Sequence, residues 1–148
     1  MHTYEFSLSF RLTHPSDDLI GIYQKVSTLH DFTPGRIWKT GDQRSAQQGK
    51  TLEGVYKESY CYFSLVKNPQ KSTVESPSQA IERALASLVP LQADLQNHAR
   101  SGGELEFFLS LYIESNSGET FHPELIRKLA DLKMRLSIDI YPPQVQMA

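Results

Sequence analysis

Residues 3–13, TYEFSLSFRLT, decide the fold that we predict for this chain. Apolar and polar residues alternate along the whole stretch, which is the period of a β-strand with one buried and one solvated face. The apolar side consists of Tyr4, Phe6, Leu8, Phe10 and Leu12. Such a strand needs neighbouring strands and a layer of helices over its apolar side.

Four further strands are predicted outward from this one. They are 34–39 (PGRIWK), 55–66 (VYKESYCYFSLV), 104–114 (ELEFFLSLYIE) and 136–141 (LSIDIY). On the strand at 55–66, the alternation predicts that Val66 and Phe63 lie on opposite faces. The polar segment 40–54 is predicted as a long loop, and 68–79 (NPQKSTVESPSQ) as a linker.

Three helices are predicted between the strands. The first covers 14–29 with Ser16 as its N-cap. The second begins with a capping box at Ser76 and kinks near Val89, because Pro90 cannot continue a regular helix. The third begins at Pro123. The order βαββαβαβ predicts an α+β fold with a mostly antiparallel sheet, helices packed on one face, and a ferredoxin-like core.

The alternation also predicts the core. The following side chains should be largely buried beneath the second and third helices: Tyr4, Phe6, Leu8, Phe10, Leu105, Phe107, Leu109 and Leu111. A register slip of one residue would expose all of them.

Composition narrows the class of protein. The chain has 148 residues, of which 39% are hydrophobic, so we predict one globular domain over 1–148. The start of the chain lacks the pattern of a signal peptide, and the single Cys61 suits a reducing cytoplasm. The net charge of −2 weighs against a nucleic-acid or membrane partner. Histidine and cysteine spacings predict no metal site, and we expect no cofactor, no catalytic residue and no enzymatic activity.

The segment 35–44, GRIWKTGDQR, contains the only tryptophan. One interpretation is an indole buried in the core with a turn at Gly41 and Asp42, since a bulky indole should enter the core in preference to Ile37. The other is a binding anchor flanked by basic residues. Both interpretations can hold together.

Aromatic residues also lie on the strand faces opposite the predicted core. Tyr141 is one of them, and others join the basic residues near Trp38 in the predicted partner-binding set. That set is Arg36, Trp38, Arg44, Tyr60, Tyr62, Phe108 and Tyr112. Helices on one side leave such a face free for a protein partner, unless the linker or a second copy of the chain covers it.

Two segments resemble a bacterial domain-of-unknown-function family (DUF4279-like). They are TPGRIWKTGDQR and EGVYKESYCYFSL. The matching positions are Pro34, Arg36, Trp38, Gly41, Asp42, Arg44, Gly54, Tyr56, Ser59 and Tyr60. The resemblance implies a small cytoplasmic protein, and some members of the family look like immunity proteins that block a toxin from a competing cell.

Two functions follow as expectations. The first is a non-enzymatic protein-binding module, with an immunity protein that occludes a toxin as the specific candidate. The alternative is a regulatory domain that binds a small ligand in a pocket near Trp38 and the 41–54 loop.

Overall fold

The computed structural model describes residues 3–143, so seven terminal residues of the predicted domain 1–148 lie outside it. The strands are β1 (Glu5–His14), β2 (Thr33–Trp38), β3 (Gln43–Ser45), β4 (Thr51–Val55), β5 (Ser59–Lys71), β6 (Glu104–Tyr112) and β7 (Met134–Tyr141). The helices are α1 (Ile20–Ser27), α2 (Pro77–Leu88), α3 (Gln92–Arg100) and α4 (Pro123–Asp131).

The main sheet has five strands in the order β2-β5-β1-β6-β7. Strand β5 lies between β1 and β2 and is antiparallel to both, which is the split βαβ arrangement of ferredoxin-like folds. Strand β6 is antiparallel to β1, whereas β7 is parallel to β6. The predicted α+β class with a mostly antiparallel sheet is therefore confirmed.

The core lies between one face of this sheet and the helices. Phe6, Phe10, Phe63 and Phe107 are fully buried there. Each helix adds apolar side chains to the same cluster, among them Val26, Ile81, Leu95 and Leu125. The predicted core residues are buried, except that Leu111 is only partly so.

The predicted second helix is present in two parts. Ser76 Oγ accepts a hydrogen bond from Gln79 N at 3.2 Å, and the Gln79 side chain accepts one from Ser76 N, which completes the capping box. A 3₁₀ turn, Val89–Leu91, separates α2 from α3. The break coincides with Pro90, as its missing N–H requires.

The predicted start of the first helix was wrong. Helix α1 begins at Ile20, and Ser16 does not cap it. Instead, Nδ1 of the buried His14 accepts hydrogen bonds from Ser16 N at 3.0 Å and Asp17 N at 2.8 Å. These bonds hold Pro15 and Ser16 in a bend, and helix α1 begins four residues later.

The predicted long loop over 40–54 was also wrong, because β3 and β4 form a hairpin there. Val55 ends β4 and does not belong to the following strand. Strand β5 in turn continues to Lys71, through the first part of the predicted linker. Short polar strands of this kind lack the apolar alternation on which the prediction rested.

One face assignment on β5 was wrong as well. Leu8 pairs with Val66, but the next residue, Ser9, pairs with Ser64. Leu65 is therefore an extra residue in a β-bulge, which reverses the alternation beyond it. Val66 consequently lies on the core face with 7% of its surface exposed.

Candidate functional site

The face of the main sheet opposite the core is the candidate site, and we call it the open face. The helices contribute their buried residues to the core, and no helix within residues 3–143 packs against this opposite face. Its partly exposed or exposed side chains include Arg11, Trp38, Tyr60, Tyr62, Phe108, Tyr112 and Tyr141. The strands hold them in three clusters.

The first cluster is an aromatic stack at the β2 edge. The Trp38 indole lies between Tyr56 and Tyr60, with ring centroids 4.2 Å and 4.4 Å away. Strand pairing explains this position, since Trp38 pairs with Tyr60 while Ile37 pairs with the buried Cys61. The expectation that Trp38 enters the core in place of Ile37 was wrong, because Ile37 packs against the core and two tyrosines cover the indole.

Arg36 joins this stack to the β3–β4 hairpin. Its Nη2 donates hydrogen bonds to Ser45 O at 2.7 Å and to Tyr56 Oη at 3.2 Å. Tyr56 Oη donates to Ser45 O at 2.9 Å and accepts from Ser45 N at 3.1 Å, and the backbone hydrogen bond from Ser45 lowers the pKa of Tyr56. Arg36 Nη2 therefore connects β2 to the hairpin.

The turn after Trp38 completes this unit. Gly41 has φ of 89°, a left-handed conformation that favours glycine. Asp42 Oδ2 accepts from Lys39 N at 2.9 Å, and the buried Ser59 Oγ accepts from Thr40 N at 3.0 Å. The exposed Arg44 donates to Glu53 O at 3.1 Å across the hairpin. The side chains and the turn of the GRIWKTGDQR segment thus hold the β3–β4 hairpin against the main sheet.

The second cluster lies at the centre of the open face. The Arg11 guanidinium stands 3.8 Å from the centroid of the Phe108 ring. Arg11 Nη1 also lies 4.0 Å from a carboxylate oxygen of Glu106, which in turn accepts a hydrogen bond from Ser137 Oγ at 2.7 Å. Arg135 forms a salt bridge with Glu104 beside them. These charged side chains and Tyr60 line a shallow groove of about 240 Å³.

Sequence reasoning missed the roles of Arg11, Arg135 and Tyr56. Arg11 was visible only as one polar residue of β1, and its contact depends on Ser9 pairing with Phe108. That register is set by three-dimensional pairing, so no local pattern indicates it. Alternation does indicate the face on which Arg11 lies.

Tyr62 lies between the first two clusters. Its ring covers Gly35, where a Cβ atom would stand only 2.3 Å from the ring. Glycine at this position therefore allows the ring to lie flat across β2. The centroids of Tyr60 and Tyr62 are 6.0 Å apart, so the aromatic surface continues along β5.

The third cluster is a tyrosine pair at the opposite end of the sheet. Tyr112 and Tyr141 are cross-strand neighbours whose rings stack with centroids 5.1 Å apart. Tyr141 Oη donates to Asp139 Oδ2 at 2.9 Å, and this hydrogen bond raises the pKa of Tyr141. Both rings are exposed and lie far along the strands from Trp38.

Two buried donors on the open face have no hydrogen-bond partner among the described residues. They are Trp38 Nε1 and Arg11 Nε. An unsatisfied buried donor costs free energy, so such atoms are rare in native structures. Both belong to the clusters that carry the aromatic surface.

The cysteine and two of the histidines lie on or beside the core side of the sheet. Cys61 is fully buried, and burial raises the pKa of its thiol to about 12, which disfavours the reactive thiolate. His14 and His98 pack 5.7 Å apart beneath the end of the sheet, where burial lowers the pKa of His98. Within residues 3–143, no three His, Cys, Asp or Glu side chains are grouped to hold a metal ion.

The fold and the site together define a two-layer α+β domain with ferredoxin-like strand order and an aromatic sheet face that no helix within residues 3–143 covers. The chain belongs to the family described as Domain of unknown function (DUF4279), whose profile matches residues 4–143. No curated protein and no solved structure matches the chain. In the part of the chain that the structure describes, no helix has the length and apolarity to cross a membrane.

Proposed function

We propose that this protein is a non-enzymatic protein-binding module and that its open face is the binding surface. The observation that carries the proposal is the combination of aromatic and arginine side chains on a sheet face that no helix of the described residues 3–143 covers. Tyrosine, tryptophan and arginine are the residue types that dominate binding energy at protein interfaces.

The arrangement of these side chains favours binding. Trp38, Tyr60 and Tyr62 are already stacked against one another or against the backbone of β2. Rings held in place lose little conformational entropy when a partner covers them. The open face therefore offers preorganised aromatic side chains to a partner.

The charge of the surface favours a protein over a nucleic acid. Arg11 and Arg135 lie beside Glu104 and Glu106, so the centre of the open face is nearly balanced in charge. Phosphate backbones require a clear basic excess, whereas protein interfaces commonly have a mixed polar rim. The net charge of −2 agrees with this choice.

The specific role that we propose is that of an immunity protein in the bacterial cytoplasm, which occludes the active site of a toxin. Its support is that some members of the family look like immunity proteins, which is an analogy about role. An aromatic surface whose rings are held in place suits occlusion, because it can cover a partner without requiring chemistry of its own.

The alternative of a small-ligand pocket near Trp38 and residues 41–54 has less support. Both faces of the indole are already covered by Tyr56 and Tyr60. A ligand could stack on Trp38 only by displacing one of these rings. A titration that quenches Trp38 fluorescence with a small molecule would favour this alternative.

Co-expression tests the proposed function. The protein is expressed together with the product of the reading frame next to its gene, and growth and binding are measured. A Tyr62→Glu/Phe108→Glu variant places two carboxylates on the open face. Because a carboxylate in place of an aromatic ring is costly to desolvate when a partner covers it, we expect this variant to abolish protection and to weaken binding by at least about a hundredfold.

The matched control is Val74→Glu/Ile126→Glu, which adds the same charges at two exposed apolar positions outside the open face. This variant should protect as well as the parent. Equal protection by both variants would rule out the open face as the binding surface. Failure of the parent protein to bind or protect would contradict the immunity role.

A further inference from the structure

The two edges of the main sheet differ in their protection against pairing with another strand. At one edge, β2 is short, contains Pro34 and has a register shift between Pro34 and Ile37. Proline and bulges are devices that prevent an edge from pairing. At the other edge, β7 pairs with β6 over eight consecutive residues without a shift. It contains no proline or glycine before Pro142.

Strand β7 also exposes apolar side chains. Met134, Leu136, Ile138 and Ile140 alternate along its helix-facing side. Met134 is buried, but Ile138 and Ile140 are 47% and 58% exposed. Helix α4 buries Leu125 and Leu129 in the core without covering the second half of β7. A regular edge strand with one apolar face, and with neither a proline nor a bulge between Met134 and Tyr141, is a site for pairing with another strand.

We infer that this edge pairs with a second copy of the chain, β7 antiparallel to β7, with Ser137 opposite Ser137. Most homodimers have a two-fold axis. When that axis is perpendicular to the sheet, each face of one copy continues into the same face of the other. Residues that pair directly across two strands lie on the same face of the sheet. The axis must therefore pair one residue with the same residue of the other copy, because an axis between two consecutive residues would pair opposite faces.

Charge complementarity selects Ser137 as the central residue. Centring on Ser137 places Arg135 of each copy opposite Asp139 of the other, so two pairs of opposite charge form on the open face. It also places Met134 opposite Ile140 and Leu136 opposite Ile138 on the helix side, which covers the exposed isoleucines. Centring on Asp139 would oppose two aspartates, and centring on Arg135 would oppose two arginines. Such like-charge pairs are destabilising.

The paired sheets would form one continuous sheet with both open faces on the same side. The two open faces remain uncovered, because the contact uses only the edge and the apolar ends of β7. The dimer is therefore independent of the proposed function of the open face. It is also distinct from a dimer in which the open faces cover each other.

Light scattering after size-exclusion chromatography tests the dimer, with the full-length chain across micromolar concentrations. We expect the parent to have the mass of two chains. Ile138→Lys, which places a charge on the pairing edge, should have the mass of one chain at the same concentration. The control Val74→Lys, at a position 78% exposed, should remain a dimer. Circular dichroism and thermal melting establish that the variants are folded.

Cross-linking tests the register. Under mild oxidation, a Ser137→Cys variant should form covalent dimers, because the two substituted positions face each other. Asp139→Cys should not, because its position faces residue 135. The buried Cys61 does not interfere. A monomeric parent, or a dimer that survives Ile138→Lys, would overturn the proposed interface, while cross-linking through residue 139 alone would overturn the register.

Discussion

Phe107 and Phe108 are neighbours in β6, yet they illustrate two different ways of stabilising a protein. Phe107 is fully buried, and its ring centroid lies 5.6 Å from that of Phe10 on the neighbouring strand β1. Phe108 is partly exposed, and its main partner is the Arg11 guanidinium at 3.8 Å. The core face is stabilised by removing apolar area from water, whereas the open face is stabilised by contacts between side chains that remain partly solvated. Only the second kind of surface remains accessible to a partner.

The largest expected effect is that of Phe107→Ala. Removing a buried ring leaves a cavity between β6 and the helices, so we expect a loss of about 3–5 kcal/mol in the free energy of unfolding. Urea denaturation measures it. Phe107→Leu, which retains most of the volume, should lose much less. A Phe107→Ala protein as stable as the parent would contradict the assignment of faces along β6.

Trp38→Ala should have the second largest effect. The indole is lost from between two tyrosines, and the ring is only partly buried, so we expect a loss of about 2–3 kcal/mol. This value lies below that of a core aromatic, as its place on the open face requires.

Because Trp38 is the only tryptophan, Tyr56→Ala can be followed by the fluorescence of the parent indole. A red shift in emission would show that Tyr56 shields the indole from water.

The layers of this fold could be predicted because burial leaves a periodic trace in the sequence. The alternation on β1 and β6 predicts which side chains face the helices, and Pro90 predicts where the second helix breaks. The hairpin over residues 43–55 could not be predicted in this way. It is held by hydrogen bonds from Arg36 and Tyr56 and by a glycine turn, and these polar contacts produce no apolar period.

For the candidate site, the sequence predicts the sheet face on which an aromatic ring lies but not the side chains that it contacts. Alternation places Tyr60, Tyr62 and Phe108 away from the core. The neighbours of each ring depend on strand register, and a single bulge reverses it, as Val66 shows. The face on which Trp38 lies also depends on register, because Trp38 pairs with Tyr60 and therefore lies on the open face. Long-range pairing is the information that a single sequence does not contain.

Phe108→Ala should cost much less stability than Phe107→Ala, although the two residues are consecutive in β6. The loss should be about 1 kcal/mol, because an exposed ring beneath a guanidinium contributes mainly a cation–π contact. A double-mutant cycle with Arg11→Ala isolates that contact, and we expect a coupling of about 0.5–1 kcal/mol. Zero coupling would mean that Arg11 is held by Glu106 alone. A loss as large as that of Phe107→Ala would mean that the two faces are equally buried.

The smallest expected effect on stability is that of Arg44→Ala. Arg44 is exposed and donates one hydrogen bond to Glu53 O, so the free energy of unfolding should change by no more than about 0.5 kcal/mol. As a predicted partner-binding residue, it should instead change the affinity for a partner of the open face. Lys50→Ala removes a similar exposed charge from the same hairpin and is the matched control. A partner titration with both variants, beside urea denaturation, separates the two roles. Weaker binding by Arg44→Ala alone would place the edge of the interface on the hairpin, whereas a large loss of stability would assign Arg44 to the structural unit formed by Arg36 and Tyr56.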